Sequence, residues 1–166
     1  IKPLEEYMTT TSKEIRTEIN AEGKLNLSIT TSEIPAPGDD EVLIKVEAAP
    51  INPSDLGLLI SFAADLGSIT STGSGDETVT SFGIHPALMQ SLKPRVGLSM
   101  KAGNEGGGVV IDAGKNAKDL IGKTVGVAGG EMYSQYRCLP AMSCLVMNEG
   151  TTSSEAASSF VNPLTA

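Results

Sequence analysis

Few side chains in this 166-residue chain can do chemistry, and their types restrict what that chemistry could be. The only thiols are Cys138 and Cys144, and the only imidazole is His85. A catalytic zinc keeps three protein ligands and an open fourth position, and neither cysteine has a histidine near it in sequence. Two cysteines also make no disulfide scaffold, so both read as small, buried or half-buried side chains. His85 stands alone in a Gly/Ser/Thr-rich neighbourhood and reads as a solvated surface group. Glu105 lies in the run Gly103-Asn104-Glu105-Gly106-Gly107-Gly108, where a buried carboxyl could serve as a proton donor. The four glycines suit tight backbone turns beside a cleft. Phosphate binding would call for Gly-x-Gly-x-x-Gly after a strand and opening a helix, a pattern this run lacks. Tyr133 and Tyr136 could line a pocket or donate a proton, although aromatic residues in strands usually pack in the core.

The elements that must position these groups follow from periodicity. Leu25 to Ile34 alternates apolar and polar residues, and Glu41 to Val46 does so again, as expected of half-buried strands. Ile34-Pro35-Ala36-Pro37-Gly38-Asp39-Asp40 between them is rich in turn formers, giving a strand, turn, strand unit. Asn52 precedes Pro53 and suits the cap of a turn, and Asp55 suits the cap of a helix over Leu56 to Phe62. Residues 58–101 read as a surface excursion, flexible at Gly67 to Thr80 and helix-like at Pro86 to Leu92. Strand patterns return at Gly108 to Ile111, Thr124 to Val127, Ser134 to Leu139 and Cys144 to Met147, with Gly122-Lys123 supplying a turn. Short, glycine-punctuated strands predict a mainly β fold with some α, a twisted antiparallel barrel or sandwich. Thr152-Ser153-Ser154-Glu155 matches a capping box, followed by Ala156, Ala157 and Phe160 at helical spacing. The final residues, Val161 to Ala166, read as an element that is interrupted, with no turn or polar tail to finish it.

Composition narrows the partners. At 40% hydrophobic and 19% charged the chain has material for one real core. Its net charge of -8 repels phosphate backbones and anionic lipid, which argues against nucleic acid and membrane surfaces. No apolar run is long enough to span a bilayer and no secretory signal opens the chain, so a cytoplasmic location is expected.

Three segments, in this order, resemble the medium-chain dehydrogenase/reductase superfamily. They are Pro37-Gly38-Asp39-Asp40-Glu41-Val42-Leu43-Ile44-Lys45-Val46 running into Ile51-Asn52-Pro53-Ser54-Asp55; Gly103 to Val110 followed by Leu120 to Val127; and Tyr133 to Tyr136 leading through the helix to Asn162-Pro163-Leu164-Thr165-Ala166. The likeness covers most of Ser32 to Ala166, and Ile1 to Thr31 fits only loosely. It implies a GroES-like catalytic domain over residues 32–150, with a long insertion at about 58–101. Residues 151–166 would begin the connection to a nucleotide-binding domain that this chain does not include. Zinc alcohol dehydrogenases of the superfamily carry a cysteine in the block that here reads Ile51 to Asp55, and a His-Glu pair where this chain has Asn104-Glu105. The asparagines are poor zinc ligands and one carboxylate does not hold zinc. No cysteine lies between Leu56 and Arg137 to build the superfamily's structural zinc lobe. Asn52-Pro53 is similar to the zinc-independent quinone oxidoreductase branch.

That branch passes a hydride from NADPH, with NADH as the alternative, to a quinone, an enone or a similar carbonyl acceptor, and the cofactor carries the hard chemistry. The resemblance implies cleft positions for Asn52, Asp55, Glu105, Asn162 and Thr165, with no assigned catalytic residue and no metal. The partner is then a small electrophilic molecule, and the complete protein has the option of a homodimer. The isolated chain, lacking a Rossmann half, is expected to be inactive and to bind NADPH weakly or not at all. The stretch between Asp55 and Gly103 looks about twice as long as in compact relatives, leaves the acceptor open, and suggests a lid or an oligomer contact. Two other readings stay open: a non-enzymatic GroES-like binding module, and a zinc alcohol dehydrogenase relative with displaced ligands.

Overall fold

The computed structural model describes residues 10–166; the first nine residues of the loosely matched segment Ile1 to Thr31 lie outside the described residues. Along the described chain run β1 (Thr10–Ile19), β2 (Lys24–Ile34), β3 (Glu41–Ala48), α1 (Pro53–Leu59), β4 (Thr70–Thr72), β5 (Val79–Gly83), α2 (Pro86–Leu92) and β6 (Met100–Lys101). They are followed by β7 (Glu105–Ala113), β8 (Thr124–Ala128), β9 (Tyr136–Pro140), β10 (Cys144–Val146), α3 (Ser153–Ala156) and α4 (Val161–Thr165). Two five-stranded sheets form, in the orders β4-β5-β2-β1-β6 and β10-β8-β7-β3-β9, with antiparallel pairing throughout both. This is the predicted antiparallel β architecture.

Each sheet has its own apolar centre. In the second, the inward positions Val42, Ile44, Val110, Val125, Val127 and Leu139 pack together. In the first, Ile19 and Leu25 pack with Ile84 and Leu92. Alternation on a pleated strand sends these residues to one face and their polar neighbours to the other. β1 and β2 are a hairpin whose turn uses Gly23 at φ +75°, and Asn20 Oδ1 accepts the Lys24 N–H at 2.8 Å. The strand, turn, strand reading of β2 and β3 left their pairing open, and the structure supplies it. β2 pairs β1 and β5, while β3 pairs β7 and β9, so the proline-rich turn carries the chain from one sheet to the other.

The stretch 58–101 is more ordered than a flexible excursion. β5 pairs with five residues of β2, β4 pairs with β5, and Phe82, Ile84 and Leu92 are buried. Its Gly/Ser/Thr content concealed a short edge hairpin, because Thr and Ser alternation leaves little hydrophobic period to read. The sheets meet where β1 runs past the segment before β9. Ile15 N–H donates to Tyr133 O at 2.9 Å, Gln135 N–H to Lys13 O at 3.0 Å, and Tyr136 N–H to Ser12 Oγ at 3.0 Å.

Candidate functional site: a buried amide and carboxylate cluster

Asn52 is the N-cap of α1, and Pro53 takes the first helical position, where a missing N–H costs nothing. Asp55 does not cap a helix over Leu56 to Phe62; it is the third residue of α1 and reaches back, Oδ2 accepting the Asn52 N–H at 2.8 Å. Its other oxygen, Oδ1, accepts the Asn104 N–H at 2.8 Å. Asn104 Nδ2 donates to Ser54 Oγ at 2.9 Å. Asp55 therefore fastens the head of α1 to the residue preceding β7, and it is buried while doing so.

Glu105, the first residue of β7, has no solvent exposure. Its Oε1 accepts Asn52 Nδ2 at 2.9 Å, and Oε2 accepts the main-chain N–H groups of Phe160 at 3.0 Å and Val161 at 2.9 Å. To give a proton to a ligand it would first have to release one of these bonds, so the geometry favours a holding role over the proton donor suggested by the sequence. Asn52, Asp55 and Glu105 thus come together in one buried, hydrogen-bonded cluster. Asn162 and Thr165 do not join them: both side chains are exposed on α4, and Thr165 Oγ1 donates back to Val161 O at 2.8 Å. What the last segment supplies to the cluster is the main chain of Phe160 and Val161.

Tyr133, weighed above as a pocket-lining residue or proton donor against a core residue, lies beside the cluster. Its hydroxyl donates to Pro50 O at 2.9 Å, and its ring packs on Gly103, which adopts φ +95° and leaves no room for a Cβ. Burial first, and then the neighbouring Asp55 carboxylate, push the phenol up to about 12, so it stays a hydrogen-bond donor across the physiological range. On its far side Tyr133 lines an apolar groove of about 570 Å³ shared with Ile15, Leu27, Ile29, Val46 and Ile51. That size and polarity suit a small apolar molecule.

The glycine run is only partly what its sequence suggests. Gly103 makes a turn, whereas Gly106, Gly107 and Gly108 lie within β7, chosen for close approach: a Cβ on Gly107 would strike Ser153 O and lie 2.7 Å from Ala157 N. α3 can therefore sit directly on the sheet, its capping box closed by Thr152 and Glu155 as predicted. The helix ends at Ala156, and Phe160 introduces α4 instead of continuing it. His85 is exposed and caps α2, Nδ1 accepting the Ala87 N–H at 3.3 Å. Cys138 and Cys144 are half-buried, and burial, aided at Cys138 by Glu41, pushes both thiols up to about 11, which suppresses thiolate chemistry near neutrality. Among the described residues no group of three His, Cys, Asp or Glu side chains is placed to hold a metal, and no helix is long and apolar enough to cross a membrane.

No protein-family model matches the sequence, and no characterised protein sequence does. Solved structures do match. A Bacillus thuringiensis protein assigned as an NADPH:quinone reductase superposes on 94% of this chain with a TM-score of 0.62 at 22% identity, using 39% of its own length. An Etr1p variant crystallised with NADP and crotonyl-CoA matches 94% of this chain and 42% of its own, with a TM-score of 0.60 at 19% identity. A quinone oxidoreductase from Pseudomonas syringae matches 88% of this chain and 36% of its own, with a TM-score of 0.51 at 19% identity. The chain spans about two fifths of the length of these proteins. At such identities the likeness establishes the fold alone, the GroES-like antiparallel β arrangement expected from the sequence.

Proposed function

We propose that this chain is the substrate-side domain of a zinc-independent, NADPH-dependent oxidoreductase that transfers hydride to a quinone, an enone or a similar carbonyl acceptor. The observation that carries the reading is the match of 88–94% of the chain to the three reductase structures. In this reading residues 32–150 form the catalytic domain, and 151–166 start the connection to a nucleotide-binding domain encoded after Ala166.

The residues present fit one end of the cofactor and not the other. Nothing in the described chain resembles a diphosphate cradle, since its α-helices run only four to seven residues and none opens on a glycine-rich turn. The head of α1, Asn104 and the polar groups of α4, Asn162 and Thr165, are the donors and acceptors available to the nicotinamide end. NADPH, once bound, supplies the hydride; this chain holds one wall of the cleft and offers the acceptor the apolar groove lined by Tyr133 and Ile51. Zinc is disfavoured because the Glu105 carboxylate holds three N–H donors, the Asp55 carboxylate holds two more, and Asn52 and Asn104 offer only amides. The partner in this reading is a small apolar electrophile, in a cytoplasmic protein, and a homodimer through the 58–101 stretch fits it.

The test is NADPH oxidation, followed by absorbance with quinone and enone acceptors, using the protein extended by whatever its gene encodes after Ala166. Turnover without added or bound zinc is expected, with no micromolar NADPH binding by residues 1–166 alone. Stoichiometric zinc in the active protein, or a stop codon after Ala166, overturns the proposal and favours the zinc enzyme or the non-enzymatic binding module respectively.

A further inference from the structure

Every hydrogen bond to Glu105 comes from an N–H, and the donors belong to separate parts of the chain. Asn52 Nδ2 stands at the head of α1, and the amides of Phe160 and Val161 stand at the start of α4. No ion pair among the described residues involves Glu105, and the side chain is fully buried. A buried carboxylate without a cation is costly unless its acceptor positions are filled, and a glutamine in its place would turn one N–H donor against another. Complementarity to three donors therefore demands a carboxylate. The neighbouring glycines seat α3 against β7 and β8, which brings Phe160 and Val161 to the carboxylate.

We propose that Glu105 is a positioning residue: it fixes the start of α4 against the second sheet and ties it to Asn52, so that the orientation of one sets the other. The inference stands on this geometry and survives even if the reductase reading fails. Its consequence is that displacement of α4 releases the Asn52 amide, and rotation of the Asn52 amide loosens α4.

Residue-resolved amide hydrogen exchange on the chain tests it, with the amides of β8 as the reference for intact folding. Glu105→Gln should speed exchange at Phe160 and Val161 by about tenfold or more while β8 stays protected. Adding Asn52→Asp moves the carboxylate across the contact: Gln Nε2 then donates to the new acid, its oxygen serves both amides, and exchange should return to within about threefold of the original. Asn52→Ala leaves the carboxylate in place but removes its orienting donor, and should raise exchange at both amides by about threefold. Unchanged exchange in Glu105→Gln, or a double variant no better protected than the single one, would show that Glu105 only fills space. If Glu105→Gln fails to fold, the double variant and Asn52→Ala decide: recovery of the fold together with protection supports the tie, and unchanged exchange in Asn52→Ala overturns it.

Discussion

At the scale of single residues, Asp55 and Tyr133 make a pair whose chemistry can be measured. The carboxylate accepts two main-chain N–H groups and lies beside the phenol, which is itself committed to Pro50 O. Asp55→Asn keeps the shape but turns an amide hydrogen toward one of those donors, and should destabilise the chain by about 2 kcal/mol in urea unfolding. The same change removes the charge that adds to burial in raising the phenol, so the Tyr133 midpoint should move down from about 12 without reaching its ordinary value of 10. Tyrosinate absorbance in a background with Tyr7→Phe and Tyr136→Phe reads this directly; a midpoint that stays put would mean that burial alone sets it. The linkage has a definite sign. Because the folded phenol holds its proton more tightly, its contribution to stability is complete below pH 10 and is lost as pH rises toward about 12.

At the scale of elements, the decisive contacts are those where a strand has no side chain. Gly107→Ala places a Cβ against Ser153 O and 2.7 Å from Ala157 N, so α3 must lift off the sheet, at a cost of about 1–3 kcal/mol. Because α3 leads into α4, the substitution should also expose the Phe160 and Val161 amides, a coupled loss that calorimetry and exchange can register together. Gly122→Ala is the contrast: its Cβ would meet nothing within 4 Å, and the penalty of about 1 kcal/mol comes only from a backbone at φ +81°. Such contacts explain which parts of the structure were legible in the sequence. Strands with clean alternation, such as β2 and β3, and the Thr152/Glu155 cap could be read because local pattern and local structure agree. Pairing between sheets could not, since nothing in Pro35 to Asp40 tells a hairpin turn from a crossing. β5 was hidden for a related reason: Val79-Thr80-Ser81-Phe82 carries no apolar–polar alternation to read, and pairing with β2 makes it a strand. In the site, Asn52, Asp55 and Glu105 were found through their motif neighbours. The Phe160 and Val161 amides left no signal, because main-chain donors are common to every residue.

For the molecule as a whole, closure of the two sheets depends on charge as well as on backbone pairing. Glu14 on β1 is buried; it accepts from Arg16 Nε at 2.8 Å and Ser32 Oγ at 2.7 Å, and pairs with Lys101 Nζ at 3.3 Å. Lys101 also reaches Glu131 at 3.4 Å, and Glu131 pairs with Arg137, so the network runs from the first sheet across to the loop before β9. Glu131 is the one non-glycine among the described residues at positive φ, 64°, a conformation these two cations hold in place. Burial alone would raise the Glu14 carboxyl, but the Ser32 and Arg16 hydrogen bonds and the Lys101 and Arg16 charges outweigh it, leaving Glu14 below its usual 4.5. At Glu131 burial is likewise overcome, there by Arg137 and then Lys101. A carboxylate depressed in the folded state contributes its full stability above the unfolded midpoint near 4.5 and loses it as pH falls through the folded one. Urea unfolding should therefore show stability nearly flat from pH 7 to about 5 and falling steeply below 4.5, as Glu14, bonded within the first sheet, and Glu131, which links Lys101 of that sheet to Arg137 of β9, are protonated. Glu14→Gln should lower the plateau and flatten that fall, because one of the groups that titrate is gone, whereas Glu155→Gln, at the exposed cap of α3 where only the Thr152 bonds lower the carboxyl, should flatten it less. An acid limb unchanged in Glu14→Gln would leave Glu131, the carboxylate that joins Lys101 to Arg137, as the group that sets it.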